Sequence, residues 1–151
     1  MILAIDPGPE RSGWVLYCDN EIRAAGIDDN MSAICKASAW DTVVCEWVEC
    51  YGMPVGHDVF ESVQWIGRFA QFLDREYGLP LHRVTRREVK LYLCNRARAK
   101  DKNIRAALID RFGGSKAKAI GTKKKAGTLY NVKGHAWAAL AVAVTWAGRG
   151  Q

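Results

Sequence analysis

The sequence predicts a single α/β domain with a mixed central sheet flanked by helices, and three observations indicate it. The 151 residues are 49% hydrophobic, which is enough to fill the core of one unit covering 1–151. Two short apolar runs, 2–5 and 42–45, each end in an acidic residue, as expected of central strands buried on both faces. Helical and strand periodicities alternate along the chain, which is typical of an α/β layer fold.

Each element follows from its local pattern. Strand 2–5 stops at the turn signal Pro7-Gly8, and Asp19-Asn20 joins the next two strands as a hairpin. Thr85 with Glu88 forms a capping box that begins one helix, and Asp101 is expected to cap another. The predicted elements are, in order, strands at 2–5, 13–18 and 21–25, a helix at 31–40, a strand at 42–45, a helix at 59–77, a strand at 81–84, helices ending near 94 and starting at 101, a Gly/Lys-rich loop at 113–133, and an Ala-rich helix at 134–147.

The longest predicted helix, 59–77, carries more apolar surface than one contact face needs. Its stripe is Val59, Val63, Ile66, Ala70, Leu73 and Tyr77, widened by Phe60, Trp65, Phe69 and Phe72. Two interpretations stay open. The helix forms a homodimer interface, or it lies more deeply in the core of one chain.

Charge is distributed unevenly along the chain. Residues 1–82 hold 5 Lys/Arg against 13 Asp/Glu, whereas residues 83–133 hold 16 against 3. Such an excess of positive charge repels itself unless a polyanion binds it, so nucleic acid is favoured as a partner over a merely solvated surface. No apolar run reaches the roughly 18 residues that a membrane helix needs, and a cytoplasmic protein is expected.

Asp6 and Glu46 follow similar apolar runs, 2–5 and 42–45. If these strands are neighbours, about 4.8 Å apart, the two carboxylates lie side by side. Adjacent carboxylates repel each other unless a cation lies between them, which favours an Mg²⁺ or Mn²⁺ site. A single acid at the end of a strand is common and usually only forms a turn.

Four motifs together resemble the RuvC-type Holliday junction resolvases, most closely the phage-encoded branch. They are Ile-Leu-Ala-Ile-Asp-Pro-Gly (2–8) with Ser-Gly-Trp (12–14), Val-Val-Cys-Glu (43–46), Arg-Glu-Val-Lys (87–90) and Gly-His-Ala-Trp-Ala-Ala-Leu-Ala (134–141). The resemblance covers nearly the whole chain and keeps the order of the motifs. It implies an RNase H-like fold and a homodimer, in the host cytoplasm if the protein is phage-encoded.

The resemblance also implies an activity and its residues. Members cut opposed strands of four-way DNA junctions with two divalent ions, one activating a water and the other stabilising the leaving oxygen. Asp6 and Glu46 match the family's first two acids, and His135 matches a metal ligand at the start of its C-terminal helix. We therefore expect these three residues to bind Mg²⁺ or Mn²⁺.

One position departs from that pattern. Where many relatives have a further carboxylate, one turn after His135, this chain has Ala138. Asp101 could replace it as a catalytic acid, although a capping role is the alternative. Two alternative functions therefore stay open: a junction-binding module with weak or no cleavage, and a broader nuclease for flaps and branched DNA. An actin-like sugar kinase, which can share Asp-Pro-Gly before a hairpin, would need two related domains.

The same resemblance assigns DNA contacts. Lys90 matches a lysine near the scissile backbone, and Lys100 or Lys102 matches a second. The remaining expected phosphate contacts are Arg86, Arg87, Arg96, Arg98, Lys116, Lys118, Lys123, Lys124 and Lys125. Tyr51 is the candidate for a side chain that wedges between bases at the branch point, with Met53 second and loop packing as the alternative.

Overall fold

A five-stranded mixed sheet forms the centre of the computed structural model, which describes residues 1–38, 42–50 and 52–149. The strands are β1 (Ile2–Asp6), β2 (Arg11–Cys18), β3 (Glu21–Asp29), β4 (Thr42–Trp47) and β5 (Leu81–Thr85), in the order β3-β2-β1-β4-β5. β1, β2 and β3 pair antiparallel, whereas β4 lies parallel to both β1 and β5. The predicted α/β fold with a mixed sheet is confirmed.

Helices cover both faces of this sheet. They are α1 (Asn30–Ile34), α2 (His57–Tyr77), α3 (Arg86–Cys94), α4 (Asp101–Gly113), α5 (Lys116–Ala119) and α6 (Ala136–Gly148). β1 is buried on both sides because Ala4 faces the core that includes α6, while Leu3 and Ile5 face the core of α1 and α2. The small side chains of α6 let that helix lie directly on the sheet. In the described part of the chain, no helix is both long and apolar enough to cross a bilayer.

The structure differs from the predicted elements in three segments. The third strand continues to Asp29 rather than ending at 25. The predicted loop at 113–133 instead holds α5 and a two-stranded hairpin, β6 (Gly121–Thr122) and β7 (Lys125–Ala126), with the lysines around its turn. The first helix ends at Ile34 rather than at 40, and 39–41 lie outside the described residues.

The expected capping role of Asp101 is wrong. Lys100 is the residue that precedes α4, and its backbone N–H donates to the Asn103 side chain at 2.9 Å. Asp101 is therefore the first residue inside the helix, and its carboxylate is available for another partner.

The buried face of α2 is rotated from the predicted stripe. Ser62, Ile66, Phe69 and Leu73 are buried, four positions that follow helical periodicity. Phe60 and Val63 remain 65% and 40% exposed. The core therefore uses only part of the apolar surface of α2, and an apolar strip is left on its outer side.

Candidate active site

Strand register places Asp6 and Glu46 at the same edge of the sheet. The last paired residues of parallel strands β1 and β4 are Ile5 and Cys45, so the two acids come one position later on neighbouring strands. The next strand in the sheet, β5, ends at Thr85, opposite Trp47, and Arg86 follows at the start of α3. Three consecutive strands thus bring two carboxylates and one guanidinium to one edge.

Gly13 allows α6 to bring His135 to this edge. Gly13 pairs with Asp6 across β1 and β2. A Cβ atom at Gly13 would lie 2.3 Å from the carbonyl carbon of His135, so only glycine leaves room for the start of α6. The consequence is direct contact between His135 and Asp6, whose Nδ1 and Oδ2 atoms are 3.0 Å apart.

A buried hydrogen-bond network holds the turn that follows Asp6. The Ser12 hydroxyl donates to the Asn30 side chain at 2.6 Å, and the Asn30 amide donates to the carbonyl of Gly8 at 3.0 Å. Both side chains are almost completely buried. Because breaking a buried polar network is costly, this turn supports the position of Asp6.

Arg86 joins two acids of the site. Its Nη1 lies 3.4 Å from Oε1 of Glu46, and its Nη2 is hydrogen-bonded to Asp101. A capping box fixes the backbone at this point, with the Thr85 N–H donating to Glu88 at 2.6 Å. The structure places the guanidinium of Arg86, one of the predicted phosphate contacts, inside the acidic site.

The carboxylates are partly withdrawn from water, with only 16% of the Asp6 side chain and 14% of the Glu46 side chain exposed. Burial raises the pKa of Asp6 above its ordinary value, although the contact with His135 opposes the rise. Burial, and then the nearby charge of Asp6, raise the pKa of Glu46 to about 7 against the pull of Arg86. The two acids therefore interact electrostatically, and a cation between them would be favourable.

These residues line a cleft of about 700 Å³. Its titratable side chains are Asp6, Glu46, Arg86, Asp101, Lys102, Arg105 and His135. The remaining lining residues lie mainly on α4 and α6 and include Ala138, the position where a carboxylate was expected. The cleft thus brings together all four residues that the sequence proposed for catalysis.

The donor set fits a divalent cation chemically, because two carboxylates and an imidazole suit Mg²⁺ or Mn²⁺. Burial, and then the charge of Asp6, disfavour the charged form of Glu46, and a cation beside its carboxylate would oppose both effects. Within residues 1–38, 42–50 and 52–149, however, no three His, Cys, Asp or Glu side chains are close enough to bind one ion as they stand. Glu46 contacts Arg86 and Asp6 contacts His135 instead.

The residues expected to contact DNA are distributed over the basic part of the chain. Lys102 lines the cleft. Arg87 and Lys100 are exposed, Lys90 is half-buried on α3, and Lys123, Lys124 and Lys125 are exposed at the β6–β7 hairpin. Tyr51 lies outside the described residues, and Met53 is 72% exposed in the loop before α2.

Sequence reasoning missed three residues of the cleft region: Gly13, Arg105 and Trp137. Arg105 follows Asp101 by four positions, so helical spacing alone could have placed both on one face of α4. Trp137 stands two positions after His135, and no local pattern indicated that it would reach the cleft.

The strand order and the acidic edge define a class: an α/β fold whose candidate active site lies where two central parallel strands end. Solved structures that share this fold include two of Thermus thermophilus RuvC. The structure in complex with a Holliday junction substrate matches with a TM-score of 0.62 and 17% identity over 99% of this chain and 95% of that chain. The second RuvC structure matches with a TM-score of 0.58 and 16% identity over 99% and 96%. The matches are consistent with an RNase H-like fold.

Comparisons at the level of sequence add nothing to this. No protein-family profile matches the chain, and no curated protein matches it.

Proposed function

We propose that this protein is a divalent-metal-dependent endodeoxyribonuclease that resolves four-way DNA junctions by paired cuts in opposed strands. One observation carries the proposal: Asp6 and Glu46 lie at matching positions near the ends of neighbouring parallel strands, and His135 contacts Asp6 at 3.0 Å. A fold relative, Thermus thermophilus RuvC, was solved with a Holliday junction substrate, which supports the choice of substrate class.

The residues of the cleft have distinct roles in this proposal. Asp6, Glu46 and His135 would hold the cations, and Mg²⁺ and Mn²⁺ are the ions to test. When bound, such ions activate a water and stabilise the leaving oxygen during phosphodiester hydrolysis. Asp101 is the third acid of the cleft, and its ion pair with Arg86 keeps that arginine next to Glu46. Lys102 and Arg105 place positive charge in the same cleft, where a phosphate must enter.

Binding of the DNA arms is assigned to the basic surface. Its proposed members are Arg87, Lys90, Lys100, Lys102, Lys123, Lys124 and Lys125. Each phosphate that these residues neutralise should steepen the dependence of log affinity on log salt by nearly one. A slope close to zero would contradict the assignment.

A homodimer through α2 completes the proposal, because paired cuts in opposed strands need two active sites. The exposed apolar side chains of α2, chiefly Phe60, provide a surface for a second copy of the chain.

The central test is cleavage of synthetic four-way, three-way, flap and linear DNA with Mg²⁺ or Mn²⁺. We expect metal-dependent cuts in opposed strands of the four-way junction, and their loss in Asp6→Asn and Glu46→Gln. Asp74→Asn, an exposed carboxylate of α2, is the matched control. Equal cutting of all branched substrates would favour a broader nuclease instead.

A junction-binding module is the second candidate, and two observations favour it. Ala138 lines the cleft where a carboxylate was expected, and Arg86 already contacts Glu46. Tight junction binding without cleavage in either ion would select this function.

A further inference from the structure

The cleft beside Asp6 and Glu46 has a wall that ion binding does not require. This wall lies between α4 and α6 and is apolar, formed by Ile104, Leu108, Trp137 and Ala138. Ile104 and Leu108 are buried in the core behind the wall, so Trp137 and Ala138 supply most of its accessible surface. An apolar surface beside a few polar groups is typical of pockets that bind the apolar part of a ligand.

Arg105 and Trp137 form a stacked pair on this wall. The guanidinium carbon of Arg105 lies 4.4 Å from the centroid of the Trp137 ring. Trp137 is half-buried against the α6 core, whereas Arg105 is exposed. Since the two side chains belong to separate helices of 13 residues each, the pair presents a flat surface on a rigid support.

We propose that this wall is a stacking subsite for one nucleobase of the DNA strand whose phosphate lies at Asp6 and Glu46. The inference rests on the proposed nuclease function and specifies how that site holds its substrate. Bases stack readily on tryptophan rings and on arginine planes, without regard to sequence. Ala138 contributes because a carboxylate at that position would place a charge on the apolar wall.

The test combines substitutions in the wall with removal of single bases from the DNA. Affinity is measured in Ca²⁺ for a four-way junction, a linear duplex and a single strand. Each DNA carries one abasic site, whose position is moved along the sequence from one sample to the next. Gels confirm that the DNA stays uncut. We expect the wild type to lose roughly 5- to 100-fold in affinity at one position of the abasic site.

If the subsite exists, the affinity loss of each variant must depend on whether the base at that position is present. On intact DNA, Trp137→Leu should lose about as much affinity as the wild type loses at the abasic site. Introducing the abasic site should then lower the affinity of Trp137→Leu little further. Trp137→Phe keeps a ring and should keep most of the affinity. Arg105→Lys keeps the charge but not the plane, so its abasic penalty should shrink. Arg68→Lys is the matched control, because Arg68 stacks on Trp65 at 4.6 Å on α2, a helix that does not line the cleft.

Two results would overturn the subsite. One is that Trp137→Leu binds DNA as tightly as the wild type. The other is that the affinity losses from Trp137→Leu and from the abasic site simply multiply at every abasic position on all three DNAs. If Trp137→Leu fails to fold, as judged by circular dichroism, Arg105→Lys and Trp137→Phe decide the question. Failure of the nuclease proposal has a different signature, namely equal affinity for junction and duplex and no cutting in Mg²⁺ or Mn²⁺.

Discussion

Nη1 of Arg86 lies 3.4 Å from Oε1 of Glu46, so a guanidinium provides a counter-charge at the acidic edge of the sheet. The position of Arg86 is determined by the backbone, because α3 begins there immediately after the capping residue Thr85. Asp101 contacts the other side of the same guanidinium. This ion pair explains how the buried Glu46 is tolerated beside Asp6.

Replacement of Arg86 by Gln should destabilise the fold in a pH-dependent way. Without the guanidinium, Glu46 and Asp6 lose their shared counter-charge, and we expect a loss of roughly 1–3 kcal/mol at pH 8. The loss should be smaller at pH 5.5, where Glu46, with a pKa of about 7, is protonated. Urea unfolding in EDTA measures both values.

Two further variants complete that comparison. Arg86→Lys should recover part of the stability, since it restores the charge but not the simultaneous contact with Glu46 and Asp101. Arg75→Gln, in the exposed last turn of α2, should change little. Equal losses at both pH values would contradict an electrostatic role for Arg86.

The pKa of Glu46 also predicts how stability depends on pH. The folded-state pKa of about 7 lies above the ordinary 4.5, so the folded protein binds this proton more tightly than the unfolded chain. The contribution is therefore fully present below pH 4.5 and is lost as pH rises through 7, by up to about 3 kcal/mol. Glu46→Gln should remove this slope, whereas exposed Glu76→Gln should keep it. Unfolding free energies between pH 4.5 and 8 in EDTA provide the measurement.

The arrangement of Asp6 and Glu46 could be predicted from sequence, whereas the ion pairs could not. Each acid ends an apolar run, and parallel pairing of two such runs makes the acids neighbours. The contact of Arg86 with Asp101 joins residues 15 positions apart and depends on how α3 packs on α4. No periodicity or capping rule encodes such a contact, and the Arg105–Trp137 stack depends on helix packing in the same way.

The substitution Gly13→Ala should disrupt the site through the backbone. The added Cβ would lie 2.3 Å from the carbonyl carbon of His135, so the start of α6 must move away from Asp6. We expect a stability loss of about 1–3 kcal/mol and at least a tenfold loss of cleavage. Gly67→Ala is the control, because in the described part of the chain no atom lies within 4 Å of its added Cβ. Normal cleavage by Gly13→Ala would show that the position of His135 is unimportant.

The exposed apolar strip of α2 predicts how dimerisation responds to charge. Phe60→Asp with Val63→Asp places two charges on that strip, and we expect a monomer in light scattering. Both residues are already exposed, so the fold of the monomer should survive. Asn131→Asp, at an exposed position outside α2, should leave the dimer intact. The wild type should also be tested at 100 times the protein concentration used for cleavage, that is, at a concentration on the order of micromolar. If it is still monomeric there, a dimer through α2 is refuted.

His135 should determine which divalent ion supports cleavage. Imidazole suits Mn²⁺ better than Mg²⁺, so we expect activity in Mn²⁺ at least equal to that in Mg²⁺. His135→Asp should shift the preference toward Mg²⁺, because a carboxylate oxygen is the ligand that Mg²⁺ favours.

The same change places a second acid 3.0 Å from the Oδ2 position of Asp6, so the variant should be less stable in EDTA and regain stability when Mg²⁺ is added. His57→Asn, which alters an exposed histidine on α2, should leave the ion preference unchanged. A clear preference of the wild type for Mg²⁺ would count against His135 as a ligand.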